Sequence, residues 1–559
     1  MNPDRPGKGN PVDLSLGFHT DAGVNPADTI IGTLAIYTYK SENKTMLPGG
    51  ESRMTSREYA DIVQSQIVND LREEFREDWS RRQIWDRGYR ESRTPSCPAM
   101  LLELLSHQKF EDMKYGLDPC YRFTVSRAIY KGMLKYLSNR YGIPYVVQPL
   151  PVTDMGVKFT GDGTATISWK AVEDPLEPTA VATGFILYTR IDDGGFDTGR
   201  RIKAIKGKDG SYTFDVSIEK GLVYSFRIAA YNDGGKSFQS ETMSIGLPAE
   251  GSTGKAVLVV NNFDRVSGPA FFDTPSYAGF DNRIDSGVPD GRDITFIGEM
   301  YENRRHMPWV SNANSGFGSS YSDYAGKTVA GNTFDFTYTH GQAIMKAGHA
   351  FFSCSNEAFC SDSTFRKNAW SADIICGKQV TTSLGESFER KYSVFPVQMQ
   401  DAIRAMTSDG GNILISGANI GTDAWDQIYP YTRDKDDAVL TQKFIKDVLG
   451  YRWVTGFAGR SGEVCFAQDT LFVEKAARAG EMYTRPNPQK YCIESPDGIS
   501  ASNSKRKVIM RYADTDTPAG IRFEGGCYRT VCLGFPIEAL KEDEDIERII
   551  KATLEYFNR

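Results

Sequence analysis

No part of this chain is apolar enough to cross a membrane as a helix. Its strongest apolar run, "KAVLVVNNF", has the length of a strand, and spanning a bilayer takes roughly 18 to 20 such residues. The opening "MNPDRPGKGN" lacks the apolar core of a secretory signal, so the expectation is a cytoplasmic protein or one whose true start lies upstream. A CxxC pair is missing too. The nine cysteines are an odd number, which argues against a zinc ribbon or a dense disulfide framework and for buried free thiols. Cys354 and Cys360 are near enough in sequence to leave one pairing open. Positive charge is not in excess: the net charge is -7 and Lys and Arg are interspersed with Asp and Glu. A phosphate-backbone partner therefore has little electrostatic support, and nucleic-acid binding is not expected. Histidine is scarce, with five residues at 19, 107, 306, 340 and 349, so imidazole chemistry has few possible locations.

What is present is an ordinary globular composition, 40% hydrophobic and 25% charged, in a chain of 559 residues. That length exceeds what one core serves, and about two to four domains are expected. The texture changes twice. Residues 1–146 read as strand, strand, helix, strand, helix, an α/β pattern: "VDLSLGFH", "TLAIYTY", a helical stretch from Arg57 to about Asp86 with apolar residues every four positions, the strand "CPAMLLELLSH", and a helix opened by Asp-Pro and closed by Gly. Residues 151–249 are short alternating runs separated by turn residues, the spacing of a β-sandwich. After the linker "PAEGSTGK", residues 254–559 alternate continuous apolar strands with amphipathic helices, which predicts a mostly parallel, doubly wound sheet. The expected fold class is thus multidomain: α/β, then β-sandwich, then doubly wound α/β.

Two residues in the first region carry chemistry. His19 ends the first strand in "GFHTD", and an imidazole at the carboxyl end of a strand reaches the cleft where open α/β sheets bind ligands. Glu103 interrupts the otherwise apolar "PAMLLELL". A carboxylate there needs a partner or a place at the strand's mouth, because an unpaired buried charge costs several kcal/mol. A general base would occupy that position.

Taken together, "LSLGFHTDAG…GTLAIYTY", "WDRGYRES" and "CPAMLLELLSH" resemble, in the right order over about residues 11–140, zinc-dependent N-acetylmuramoyl-L-alanine amidases of the amidase-3 type. The resemblance implies zinc as cofactor, His19 as a metal ligand and Glu103 as the catalytic carboxylate, with peptidoglycan as substrate. A catalytic zinc takes three protein ligands and an open position. In that family the other two, a histidine in a Gly-His-Gly turn and a glutamate, come upstream of the match, and the residues preceding His19 contain neither. His107 is a poor substitute. The expectation is a zinc amidase-like domain truncated before its first ligands, the alternative being a degenerate domain kept for binding.

The middle region resembles a fibronectin type III module, with Trp169 in an early core strand and "YSFRIAAYNDGGKS" as a late strand and turn. The third region is similar, through "AVLVVNNFDR", "ADIICGK", "GGNILISGANIG" and "LGFPIEAL", to the amidotransferase-like or flavodoxin-like domain of bacterial envelope proteins labelled xanthan lyase. A nucleophile at Cys354, as in class I amidotransferases, would need a later histidine, and none follows His349. The function expected is a fragment of a cell-wall amidase in the envelope, periplasm or exterior. A non-catalytic envelope glycan binder and a polysaccharide lyase stand as alternatives.

Overall fold

A computed structural model describes residues 12–22, 29–161, 163–249, 256–295, 300–304, 319–320, 324–383, 390–426, 435–473, 475–501 and 505–559. The first region builds a four-stranded sheet from β1 (Ser15–Asp21), β2 (Leu34–Tyr37), β3 (Trp85–Asp86) and β4 (Ala99–Ser106), in the order β1-β4-β2-β3. β4 is central because it is apolar except at Glu103 and its last residue, Ser106. It runs parallel to β1 and antiparallel to β2. Four helices accompany the sheet: α1 (Met54–Glu74), α2 (Arg90–Arg93), α3 (Phe110–Gly116) and α4 (Pro119–Tyr141). Tyr59, Val63, Ile67 and Leu71 of α1 meet Tyr121, Val125 and Ala128 of α4 and Met100 and Leu102 of β4 in one core.

The ends of α4 follow local chemistry. Asp118 caps the helix by accepting the amides of Cys120 and Tyr121, Pro119 fills the first turn, and Gly142 closes it at φ 64°. The α1 expectation needs correction, since the helix stops at Glu74 rather than near Asp86. Trp79 keeps the four-residue spacing yet lies beyond the helix, buried by a turn in which Arg76 and Asp78 pair. Its indole N–H donates to Thr33 Oγ1 at 3.0 Å.

The middle region is two antiparallel sheets. One holds β5 (Thr153–Gly161), β6 (Thr164–Lys170) and β8 (Ser211–Ser217); the other holds β7 (Gly184–Ile191), β9 (Val223–Asn232) and β10 (Met243–Gly246). Trp169 on β6 is fully buried beside Phe185 and Tyr212. Burying that indole contributes roughly 4 to 6 kcal/mol by area.

The third region centres on five parallel strands, β11 (Ala256–Asn261), β12 (Ala350–Ser355), β13 (Ser371–Gly377), β14 (Asn412–Gly417) and β15 (Arg529–Leu533). They lie side by side as β12-β11-β13-β14-β15. Alternate residues of one strand enter different cores, so helices cover both faces. Leu258 and Val260 pack with Met399 and Ile403 of α6 (Val397–Ser408), while Val257 and Val259 join Ile344 of α5 (Phe336–Lys346) and Ile549 of α7 (Asp543–Asn558). β12 would be an exposed edge, but β5 and β10 pair with it through Ser353 with Val157 and Phe351 with Gly246. The sandwich thereby covers an edge that would otherwise invite association. All nine cysteines are free, so Cys354 and Cys360 do not pair. Cys354 is a core thiol, and burial pushes its pKa well above the ordinary thiol value. The linker at 250–255 and His306 lie outside the described residues. No helix among the described residues is long and apolar enough to cross a membrane.

Candidate functional site in the first sheet

His19 and Glu103 are cross-strand partners in the parallel β1–β4 register. In adjacent strands, directly paired residues project from the same face, so the two side chains share one side of the sheet. The backbone register therefore sets the two residues side by side. Glu103 is half-buried, and its Oε2 has no hydrogen-bond partner. Its carboxyl is held above the ordinary glutamate value by burial first and by the nearby Asp21 second, with His19 and Arg82 pulling the other way. A carboxyl held that way exchanges protons closer to neutral pH than a solvated one.

Two further residues belong to the site and were not singled out by sequence reasoning. His19 Nε2 lies 3.6 Å from Glu91 Oε1, both side chains partly exposed. Arg82 Nη1 pairs with Asp21 Oδ2 at 2.6 Å, its guanidinium over the Trp85 ring. Glu91 sits on α2, in the charged "RGYRES" stretch that reads as surface. The one signal for it in the sequence is Gly17, two residues before His19. A Cβ at position 17 would stand 2.9 Å from Glu91 Cβ, so this glycine leaves the space in which the glutamate side chain reaches His19.

His107, the other imidazole of the region, lies elsewhere: its Nδ1 is 3.2 Å from Thr20 Oγ1 and its amide donates to the Asp21 carbonyl. Among the described residues, no group of three His, Cys, Asp or Glu side chains is placed to hold a metal ion. His19 with Glu91 beside it, Glu103 being the candidate proton carrier, falls short of the three protein ligands of a catalytic zinc. The described residues thus do not fit that metal by themselves.

Asp112 of α3 supports the site from behind. Its Oδ1 accepts the Ile31 amide and its Oδ2 the Ser106 amide, each at 2.8 Å, tying the end of β4 to the segment that leads into β2. Burial nonetheless pushes its carboxyl up to about 6.

No family model matches the chain, and no curated protein matches it. Among solved structures it is similar over small parts to one titled "Myokine structure", at 22% identity over 18% of this chain and 99% of that one, TM-score 0.15. It is similar to the solution structure of a human FNIII domain at 21% identity, over 18% of this chain and 82% of that one, TM-score 0.15. To the exo-beta-1,4-mannosidase Op5Man5 from Opitutaceae bacterium strain TAV5 it is similar at 9% identity, over 39% of this chain and 30% of that one, TM-score 0.24. Likeness at this level fixes neither fold nor activity.

Proposed function

We propose that the first sheet carries the hydrolytic site of an envelope protein of the amidase-3 kind, directed at the amide bond between muramic acid and L-alanine in peptidoglycan. The observation that carries the reading is the same-face register of His19 and Glu103, the two residues to which the resemblance assigns chemistry. In this reading Glu103 takes a proton from a water in the cleft as the water oxygen attacks the amide carbonyl. It returns that proton to the leaving nitrogen as the C–N bond breaks, and its raised pKa suits both transfers. His19, Glu91 and the Arg82–Asp21 pair lie within electrostatic reach of Glu103 and set its charge environment. The zinc implied by the resemblance would take His19 as one ligand; the remaining ligands are not among the described residues.

The same reading treats residues 151–249 as a fibronectin type III-like spacer, supported by the two antiparallel sheets around Trp169. It treats residues 254–559 as a flavodoxin-like or amidotransferase-like domain, supported by the strand order 2-1-3-4-5 within the parallel sheet. Peptidoglycan as partner places the protein in the cell envelope or outside the cell. One observation favours a second reading, a non-catalytic glycan binder: the metal donor set is incomplete among the described residues.

The test is release of new alanine N-termini from purified peptidoglycan, with and without added zinc. Hydrolysis that disappears in Glu103→Gln and His19→Ala supports the enzyme. Sedimentation with peptidoglycan that survives Glu103→Gln, without any release, supports the binder and removes the hydrolase.

A further inference from the structure

A cavity of about 710 Å³ opens where the three regions meet. α4 contributes Phe123, the sandwich contributes Arg227 and the loop that runs to Glu241, and the parallel-sheet region contributes Asp264 and Glu357. Asp264 follows the carboxyl end of β11 and Glu357 that of β12. Open α/β sheets take ligands outside the carboxyl ends of their strands, and cavities of this size between domains suit small molecules.

The charges in this cavity are unbalanced. Four carboxyl groups line it, those of Glu241, Asp264, Asp290 and Glu357, against two cations, Arg227 and Lys236. Both cations hydrogen-bond neutral hydroxyls of the sandwich. Arg227 Nε donates to Thr242 Oγ1 at 2.8 Å with its guanidinium 4.5 Å from the Phe196 ring, and Lys236 Nζ donates to the Tyr188 hydroxyl at 3.3 Å. Glu241 and Asp264 receive side-chain amides instead: Asn261 Nδ2 donates to Glu241 Oε2 and Asn356 Nδ2 to Asp264 Oδ2, each at 2.5 Å. Neither amide neutralises a charge. Burial first and Glu357 second push the Asp264 carboxyl up to about 8, and burial, Asp264 and Glu357 push that of Glu241 well above the ordinary glutamate value. The thiol of Cys354 and the phenol of Tyr392 are also within electrostatic reach, both held protonated by burial. At the mouth, Phe123 and Phe238 lie 6.1 Å apart, and Phe238 is 66% exposed. An exposed phenyl pair at the entrance of an acidic cavity offers both a face for an apolar ring edge and a favourable site for a cation.

The geometry points to a second ligand site in this cavity, one that takes an amino sugar with a free ammonium group, its charge between Glu241 and Asp264 and its ring against Phe123 and Phe238. An ammonium ion supplies the positive charge that the cavity's own cations do not. The hydroxyls of a sugar suit a wall that offers carboxyl, amide and hydroxyl groups together, whereas a uronic acid would bring another carboxylate against Glu241 and Asp264. Entry of the cation relieves the repulsion, so the carboxyls ionise and release protons. The inference is independent of the hydrolase reading, since it uses none of the residues on the first sheet.

Calorimetric titration of the full chain with glucosamine, N-acetylglucosamine and glucuronate, in two buffers of different ionisation enthalpy at pH 7, tests it. The expected result is saturable glucosamine binding with net proton release, about tenfold or more tighter than N-acetylglucosamine, and no glucuronate binding. Glu241→Gln with Asp264→Asn removes repulsion and should leave the fold intact while abolishing the preference for the amine. Phe238→Ala, an exposed position, should weaken both sugars without changing proton release. Equal binding of the amine and its acetylated form, a preference that survives the double variant, or no saturable glucosamine binding overturns the proposal.

Discussion

His340 is the residue whose removal should most clearly report the electrostatics of the third region. It is fully buried on α5, with Nδ1 2.7 Å from Asp373 Oδ2 on β13 and Nε2 3.2 Å from Glu538 Oε2. The Tyr491 hydroxyl donates to the other oxygen of Glu538 at 2.6 Å. Burial alone would lower the imidazole pKa; the charge of Asp373, its hydrogen bond and the contacts with Glu538 outweigh that and raise it from 6.5 to about 10. The ring is therefore an imidazolium at neutral pH, bridging two buried carboxylates. Truncation to alanine leaves both without their cation, and breaking a buried pair in this way costs about 3 to 5 kcal/mol. Proton linkage gives the same size. Proton affinity that differs between 6.5 unfolded and about 10 folded, at about 1.36 kcal/mol per pH unit, bounds the contribution near 5 kcal/mol. Because the folded value is the higher one, the stabilisation is fully present below pH 6.5 and is lost as pH rises through about 10. Urea denaturation of the parent and His340→Ala, compared at pH 6, 7, 9 and about 10.5, reads this directly. The gap between the two proteins should be several kcal/mol at neutral pH and shrink across the alkaline range. A gap that stays constant to the highest pH means the imidazole is neutral in the fold and bridges no carboxylates as a cation.

Other outcomes follow from the first sheet and the thiols. Gly17→Ala places a methyl within 2.9 Å of Glu91 Cβ and should cost about 1 to 3 kcal/mol while displacing Glu91 from His19; thermal denaturation and peptidoglycan release should both fall, and an unaffected Tm would mean α2 gives way freely. Since Glu103 is held above the ordinary 4.5, the acidic limb of any pH–rate profile should lie above that value, and a limb at or below it would remove Glu103 as the proton carrier. Iodoacetamide on the native protein should label exposed Cys527 and spare buried Cys354; rapid labelling of Cys354 would reopen a nucleophile there.

Several elements could be read directly from residue order. Asp-Pro and Gly set the ends of α4 because a side-chain acceptor and a fixed φ are local properties. The strands of the parallel sheet are legible because both faces are covered, so most positions are apolar. His19 and Glu103 stood out as polar groups at the ends and interruptions of such strands. The end of α1 was misread because Trp79 continues the helical spacing, while its burial comes from a turn and a hydrogen bond to Thr33 that periodicity cannot register. Glu91 was missed because a charged residue in a charged stretch looks solvated until the strand beside it, thinned by Gly17, is brought underneath.

By itself the sequence determined the order of the three regions, their strand and helix types and the two polar residues on the first sheet, since these depend on propensities and spacings within a few turns of chain. Tertiary structure alone decided that His19 faces Glu103 across a register, that Glu91 completes their surroundings, and that carboxyls from distant segments crowd one cavity. Such convergence is fixed by how the sheets pair and pack, and the electrostatic consequences arise only when burial removes the water that would otherwise screen each charge.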